Sequence, residues 1–292
     1  SLGRSNEAGL LNVRDSLHLW SKKCFYPLRK FTLAGIGHIM LCLTDIQLMV
    51  GEKRVLQNVS AHFPAGQVTG IIGPNGAGKT SLLRVAAGLA QVEAGSVMTR
   101  GDFSDAHWRA KNIGYMPQFQ SVAWPLAVRD VVALGLLPLN LGLAEGEKRV
   151  DAALERCGMA RFATRRIDTL SGGEKARVYL ARLLATGAPI MLLDEPVQSL
   201  DAAGALSIMQ LLRAQAQAGK AVIVVMHELN LAQQFCEALV VMQNGTVALE
   251  GHAQHIFSPD RLRPIFGVEF KQLAGGHLVA QDVLNDETRK EA

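Results

Sequence analysis

Residues 73–80, Gly73-Pro74-Asn75-Gly76-Ala77-Gly78-Lys79-Thr80, space glycines, a lysine and a hydroxyl as phosphate chemistry requires. The stretch fits G-x-x-x-x-G-K-[ST], follows an apolar run and opens a helical pattern that continues through Ser81. Its glycines let backbone N–H groups wrap a phosphate, and a helix N-terminus adds a favourable dipole. Lys79 is placed to reach the β- and γ-phosphates, and Thr80 to hold magnesium. Asp194 and Glu195 end the apolar run "IMLL". Asp194 is the candidate second magnesium ligand. Glu195 is the candidate base for an attacking water, a role worth roughly 10²–10⁴-fold in rate. Gln118, in "YMPQ", offers an amide that can touch both metal and water. His227, in "VVMHELN", can donate to a γ-phosphate.

A different puzzle sits at 170–174, "LSGGE". Ser171 and Glu174 have the spacing of a capping box, with Leu170 available to pack ahead of it. Gly172 and Gly173 spoil an ordinary first turn, because glycine costs roughly 1 kcal/mol there relative to alanine. Two glycines at a helix N-terminus suggest that an anion must come very close to the backbone.

These residues need a scaffold that delivers strand ends to one place. Short apolar runs at 67–73, 113–116, 190–195, 221–227 and 238–243 alternate with helical patterns, which predicts a parallel sheet covered on both faces. Residues 41–63 alternate differently and predict antiparallel strands around "GEK". Residues 121–186 hold helical patterns without a comparable strand. A further amphipathic helix is expected over 204–218, stopped by Gly219. The expected fold class is α/β.

The totals exclude several classes. The chain has 292 residues, 49% of them hydrophobic and 19% charged, enough for a real core. Its net charge of +4 is too mild to argue for nucleic acid, and no nucleic-acid partner is expected. Cys24, Cys42, Cys157 and Cys236 are too scattered for a zinc site or a disulfide framework and suit a reducing cytosol. No apolar run reaches the roughly 18–20 residues that span a bilayer, so any membrane role is expected to be peripheral. Residues 1–40 carry six basic side chains against Glu7 and Asp15 with no clear period. They are expected to be a disordered or non-native N-terminal extension, with Met40 a candidate natural start; a targeting segment is the other option.

The phosphate loop, Gln118, "LSGGE", "LLDE" at 192–195, "SLD" at 199–201 and His227 occur in one order. Together they resemble the ATPase subunit of an ATP-binding cassette (ABC) transporter, over about 41–275. The resemblance implies a P-loop NTPase core with a mainly parallel sheet, an N-terminal antiparallel β subdomain and an inserted α-helical subdomain at about 121–186. Residues 276–292 would be a tail. ATP and Mg²⁺ are the implied cofactors. It also implies a head-to-tail dimer, in which Ser171, Gly172 and Gly173 bind the γ-phosphate held by the partner copy and Asp201 lies at the same junction. That would explain the glycines. Two departures stand out. Glu174 replaces the family's more frequent glutamine. Val50 stands where an aromatic usually stacks on adenine, a loss that weakens binding roughly 5- to 150-fold where such stacking is measured.

The stretches at 124–138, 227–251 and 258–270 resemble the importer branch for iron–siderophores, haem and cobalamin. That implies a peripheral subunit on the cytoplasmic face of the inner membrane, beneath a separate permease that a periplasmic binding protein feeds. The permease would dock at about 121–145, which is rich in apolar residues including Trp124, Leu126, Leu136, Leu137 and Leu139. The alternative is a soluble cassette ATPase that drives assembly of a cytosolic complex such as an iron–sulphur scaffold. The 121–145 groove and "RPIFGVEF" favour the importer. A DNA-repair cassette would need a long coiled coil, and the stretch from Thr80 to Ser171 holds no sustained heptads.

Overall fold

A computed structural model describes residues 39–118, 124–273 and 276–283. The N-terminal extension expected over 1–40 therefore lies almost wholly outside the described residues, as do 121–123 of the expected docking region and 284–292 of the expected tail.

Six strands form the central sheet: β3 (Val68–Ile72), β5 (Ile113–Met116), β6 (Ile190–Asp194), β7 (Ala221–Val225), β8 (Ala238–Gln243) and β9 (Thr246–His252). Their order is β5-β6-β7-β3-β8-β9, parallel throughout except for β9, which runs antiparallel to β8. The central strands are continuous apolar runs because both faces are covered. Their pleat sends alternate side chains into two separate cores. Met191, Leu193, Val222 and Val224 join one core. Ile190, Leu192, Ile223 and Val225 join the other.

The second core is closed by a three-stranded antiparallel sheet of order β2-β1-β4. It comprises β1 (Ile39–Val50), β2 (Lys53–Pro64) and β4 (Ala94–Thr99). The strand β4 was not foreseen, since "AGSVMT" is exposed over its first half and its sequence shows no clear alternation. Between the two sheets lies α1 (Lys79–Ala86), which buries Leu82, Leu83 and Val85. The short α2 (Ala106–Asn112) leads into β5.

Between β5 and β6 the described chain contributes α3 (Val128–Ala133), α4 (Leu143–Arg156) and α5 (Gly172–Thr186), which pack on the first core. The helical run expected at "AVRDVVALGLL" is not one α-helix. It tightens at Leu134–Leu139 into a 3₁₀ segment that contains Pro138 and ends on Asn140 in the left-handed region. The helix expected over 204–218 is α6 (Ala202–Gln217), and α7 (Leu229–Phe235) follows β7.

After β9 come α8 (Ala253–Ile256), α9 (Pro259–Phe266), β10 (Val268–Gln272) and β11 (Leu278–Val283). The last two pair as an antiparallel hairpin. Residues 276–283, read from the sequence as the start of a tail, thus belong to the folded unit. Leu278 is buried in the first core, and its N–H donates to Asn230 Oδ1 at 3.1 Å.

Candidate functional site

The strand order puts the C-terminal ends of β5, β6, β7 and β3 side by side. Each delivers one part of the site: Gln118 after β5, Asp194 and Glu195 at β6, His227 after β7, and Gly73 after β3. Ligands of open parallel sheets bind at this edge.

The loop after β3 closes on itself before α1 begins. Gly73 has φ 148°, and any side chain there would run into the Met242 carbonyl. Gly76 has φ 78° and faces open space, so its amide is approachable. Helix α1 starts at Gly78 (φ 98°) with no side-chain cap and no acidic residue in its first turn. Its leading N–H groups are thus left for an external anion. Lys79 is 6% exposed. Its Nζ donates to the Gly73 carbonyl at 2.8 Å and the Pro74 carbonyl at 2.9 Å. Burial lowers its pKa, while the Glu195 and Asp194 charges oppose that shift.

Asp194 is 1% exposed. Its Oδ1 accepts from the Thr80 hydroxyl at 3.2 Å, and its Oδ2 is buried without a hydrogen-bond partner. Burial is the main reason its carboxyl titrates above the usual range. A buried carboxylate oxygen left over, beside a hydroxyl, fits a small hard cation with oxygen ligands. The residues present therefore suit magnesium.

Glu195 takes a left-handed backbone (φ 52°), unusual for a non-glycine residue. The turn aims its carboxylate back over the loop. Gln118 Nε2 donates to its Oε2 at 2.8 Å and to Gln198 Oε1 at 3.2 Å. His227 Nε2 meets its Oε1 in a short contact. The glutamate side chain is 8% exposed, against 41% for the histidine.

Together these residues wall an open cleft of about 880 Å³. Asn75, Gly76, Ala77, Gly78, Lys79, Thr80 and Ser81 line it with Gln118, Glu195 and His227. Gly73 and Pro74 adjoin through Lys79, and Asp194 through Thr80. Sequence reasoning missed Lys53, Val55 and Gln198, which also line it. Gln198 carried a signal, lying three residues after Glu195; Lys53 and Val55 carried none beyond their place beside the β1–β2 turn.

Ser171, Gly172, Gly173 and Asp201 are not among the described residues that line this cleft. They start two neighbouring helices. Ser171 caps α5, with its Oγ accepting from the Glu174 N–H at 3.3 Å and its own N–H donating to Glu174 Oε2 at 2.8 Å. Asp201 caps α6 by accepting from the Gly204 N–H at 2.8 Å. A Cβ on Gly172 would find only Ser199 Cβ, at 3.8 Å, and one on Gly173 would press on Leu200 Cδ2 at 3.0 Å. The chain's own packing does not require glycine at 172.

The expected docking region is divided. Trp124 and Leu137 are 72% and 74% exposed. Leu126 and Leu136, in the same region, pack partly buried against the first core. Leu143, not singled out from the sequence, is 88% exposed. A second cleft of about 420 Å³ runs between α3 and α4, lined by Leu136, Leu137, Leu141, Leu143 and Val150. No helix among the described residues is long and apolar enough to cross a membrane.

A family model described as ABC transporter matches residues 56–198. The haemin import ATP-binding protein HmuV of Shewanella denitrificans is 36% identical over 237 residues, covering 78% of this chain and 93% of that protein. The chain belongs to the ABC transporter family. Another relative of this ABC chain is the cobalamin import ATP-binding protein BtuD of Halobacterium salinarum. It is 38% identical over 234 residues, covering 77% of the chain but only 58% of that longer protein. The iron(3+)-hydroxamate import ATP-binding protein FhuC of Bacillus subtilis is 34% identical, with 75% and 84% covered. Among solved structures, the dimeric post-hydrolysis ATP-binding cassette MJ0796 with ADP and Pi has a TM-score of 0.66 at 30% identity. It matches 73% of the ABC chain and 99% of its own.

Proposed function

We propose that this chain hydrolyses ATP as the energising subunit of an importer for an iron–siderophore, haem or cobalamin-type substrate. The observation that carries the proposal is the Glu195 carboxylate, held by Gln118 and His227 over a phosphate loop whose lysine and helix amides face the same cleft. The substrate class rests on similarity to haemin, cobalamin and iron-hydroxamate import proteins.

The triphosphate lies along 73–81, its charge met by loop amides, the α1 N-terminus and Lys79. To bind it, Lys79 exchanges its two carbonyl partners for phosphate oxygens. Thr80, Asp194 and Gln118 would hold magnesium, which when bound neutralises charge on the β- and γ-phosphate oxygens. Glu195 orients a water and accepts its proton as the oxygen bonds to the γ-phosphorus. The bond to the bridging oxygen breaks, and its electron pair leaves with ADP. His227 fixes the Glu195 carboxylate and stands ready to donate to the γ-phosphate.

A second copy completes the site. Ser171, Gly172 and Gly173 of one protomer close over the nucleotide of its partner head to tail, with Asp201 at the junction. A glycine that the chain's own packing does not need supports this reading. Two bound ATP molecules hold the dimer closed, and loss of the γ-phosphate contacts reopens it. A permease docks on the apolar cleft between α3 and α4, keeping the subunit peripheral on the cytoplasmic face, and a periplasmic binding protein acts on it indirectly.

The test is a pull-down from membranes solubilised with magnesium and ATP, using tagged Glu195→Gln to hold the ATP-bound dimer. A polytopic permease in the eluate is the expected result, and its companion binding protein names the substrate. Recovery of soluble assembly factors alone would replace the importer with the cytosolic-assembly alternative.

A further inference from the structure

His227 meets Glu195, yet its own stretch of chain does little to hold it there. Just before it, the Met226 N–H donates to the Ile71 carbonyl at 3.1 Å and anchors the chain to the sheet. Just after it, Glu228 starts α7 without a side-chain cap. Helix α7 has only seven residues. Isolated helices shorter than about 12–15 residues are marginal in water. The place of α7, and with it the path of the chain away from His227, must therefore come from what packs on the helix.

Ala232 and Phe235 are its buried residues. Asn230 and Gln233 are three residues apart and so neighbours on the helix surface. Both reach the C-terminal hairpin of β10 and β11. Asn230 Oδ1 accepts from the Leu278 N–H at 3.1 Å, and Gln233 Nε2 donates to the Gly276 carbonyl at 3.0 Å. The hairpin is a firm support. Leu278 is buried in the first core. Phe270 of β10 meets Phe266 of α9 edge to face, with ring centres 6.1 Å apart. Helix α9 is in turn tied to the sheet, because Gln243 Nε2 at the end of β8 donates to the Pro264 carbonyl at 3.2 Å. Contacts thus run from β8 through α9 and the hairpin to α7, and so to the residue beside Glu195.

We propose that the C-terminal hairpin holds His227 in register with Glu195, with Asn230 and Gln233 as the positioning residues. Among the described residues that line the nucleotide cleft, none comes from the hairpin, so its influence passes through α7. The catalytic consequence rests on the ATPase reading above. A misplacement of about 1 Å costs up to roughly 10²-fold in rate. Loss of the Asn230 tie is therefore expected to lower kcat roughly 10- to 100-fold. KM for ATP should stay within about twofold, since the phosphate loop is untouched.

The experiment compares Asn230→Ala with Asn230→Asp, which keeps an acceptor oxygen, in the full chain. Asn230 is exposed, so neither change disturbs the core. Steady-state turnover of magnesium–ATP separates kcat from KM. The imidazole signals of His227, assigned by their loss in His227→Gln, are followed by NMR without nucleotide. The expected result for Asn230→Ala is the fall in kcat at constant KM and a displaced His227 signal. Asn230→Asp should resemble the parent in both, and Gln233→Ala should act in the same direction as Asn230→Ala. A His227 signal unmoved in Asn230→Ala and Gln233→Ala overturns the inference, as does an Asn230→Asp protein as impaired as Asn230→Ala. If the parental chain does not hydrolyse ATP, the proposed function fails, while the His227 signal still decides whether the hairpin positions that residue.

Discussion

Gly172→Ala separates what the chain needs for itself from what it needs for a partner. Gly172 is the first residue of α5, has no positive φ, and would place a new Cβ 3.8 Å from Ser199 Cβ, an ordinary contact. Alanine in a helix is favoured over glycine by roughly 0.5–1 kcal/mol. With roughly 2–4 °C per kcal/mol for a domain of this size, the isolated protein should melt about 1–4 °C higher. The same methyl group stands where the proposed head-to-tail dimer brings a γ-phosphate against the backbone. Losing one preorganised donor of that kind costs on the order of 10²-fold in rate. The expected result is a more stable and nearly inactive protein. Differential scanning calorimetry without nucleotide reads the first effect; steady-state ATP turnover reads the second. ATP-driven dimerisation, followed by size-exclusion chromatography with Glu195→Gln in both chains, shows whether closure is lost. Ser171→Ala is the contrast: it removes the Oγ that accepts from the Glu174 N–H and should lower stability by about 1 kcal/mol. A Gly172→Ala protein that melts lower, or that turns over ATP at the parental rate, would refute the reasoning.

Glu195→Gln should reduce ATP turnover by roughly 10²–10⁴-fold while leaving ATP affinity near the parental value, measured by single-turnover hydrolysis and calorimetry. Asp194→Asn should abolish the thermal shift given by magnesium with ATP and raise the melting temperature at pH 7 without them. The sign follows from burial, which raises the Asp194 pKa in the folded state. The folded state then holds a proton that the unfolded state has released, so stability falls as pH rises from the ordinary aspartate pKa through the raised one. The asparagine variant lacks that loss, and melting curves from acid to neutral pH should diverge accordingly. Leu137→Arg together with Leu143→Arg should prevent recovery of the permease in the pull-down yet keep ATP binding, because both side chains are exposed and outside the nucleotide cleft.

The phosphate loop was legible because its chemistry is contiguous: one turn of chain supplies amides, ammonium and hydroxyl in a fixed order. The central strands were legible because burial on both faces makes each a solid apolar run. What stayed hidden depends on neighbours distant in sequence. Strand β9 is half exposed along one face, reads "TVALEGH", and exists as a strand because β8 offers it an edge. The hairpin of β10 and β11 is mostly exposed and is anchored by Leu278 and by Asn230 of α7, a side chain 48 residues earlier. Lys53 and Val55 face the cleft because the β1–β2 turn lies over the loop, and no local pattern announces that. Leu126, Leu136 and Leu137 look alike in the sequence, and only packing against the first core sets the first two apart from Leu137.

The sheet order has a mechanical side. Strand β5 is four residues long and, among the described residues, is laddered to β6 alone, whereas β6, β7 and β3 are each held on both sides. A margin strand yields to a pull that an interior strand resists. Gln118 rides just past the end of that margin, tied by its amide to Glu195 on the stiff interior and continuous in chain with the segment that leads to α3 and the apolar cleft. A force generated where Glu195 sits thus meets rigid material on one side and compliant material on the other. Any displacement there is taken up first by the margin strand and by the Gln118 that follows it.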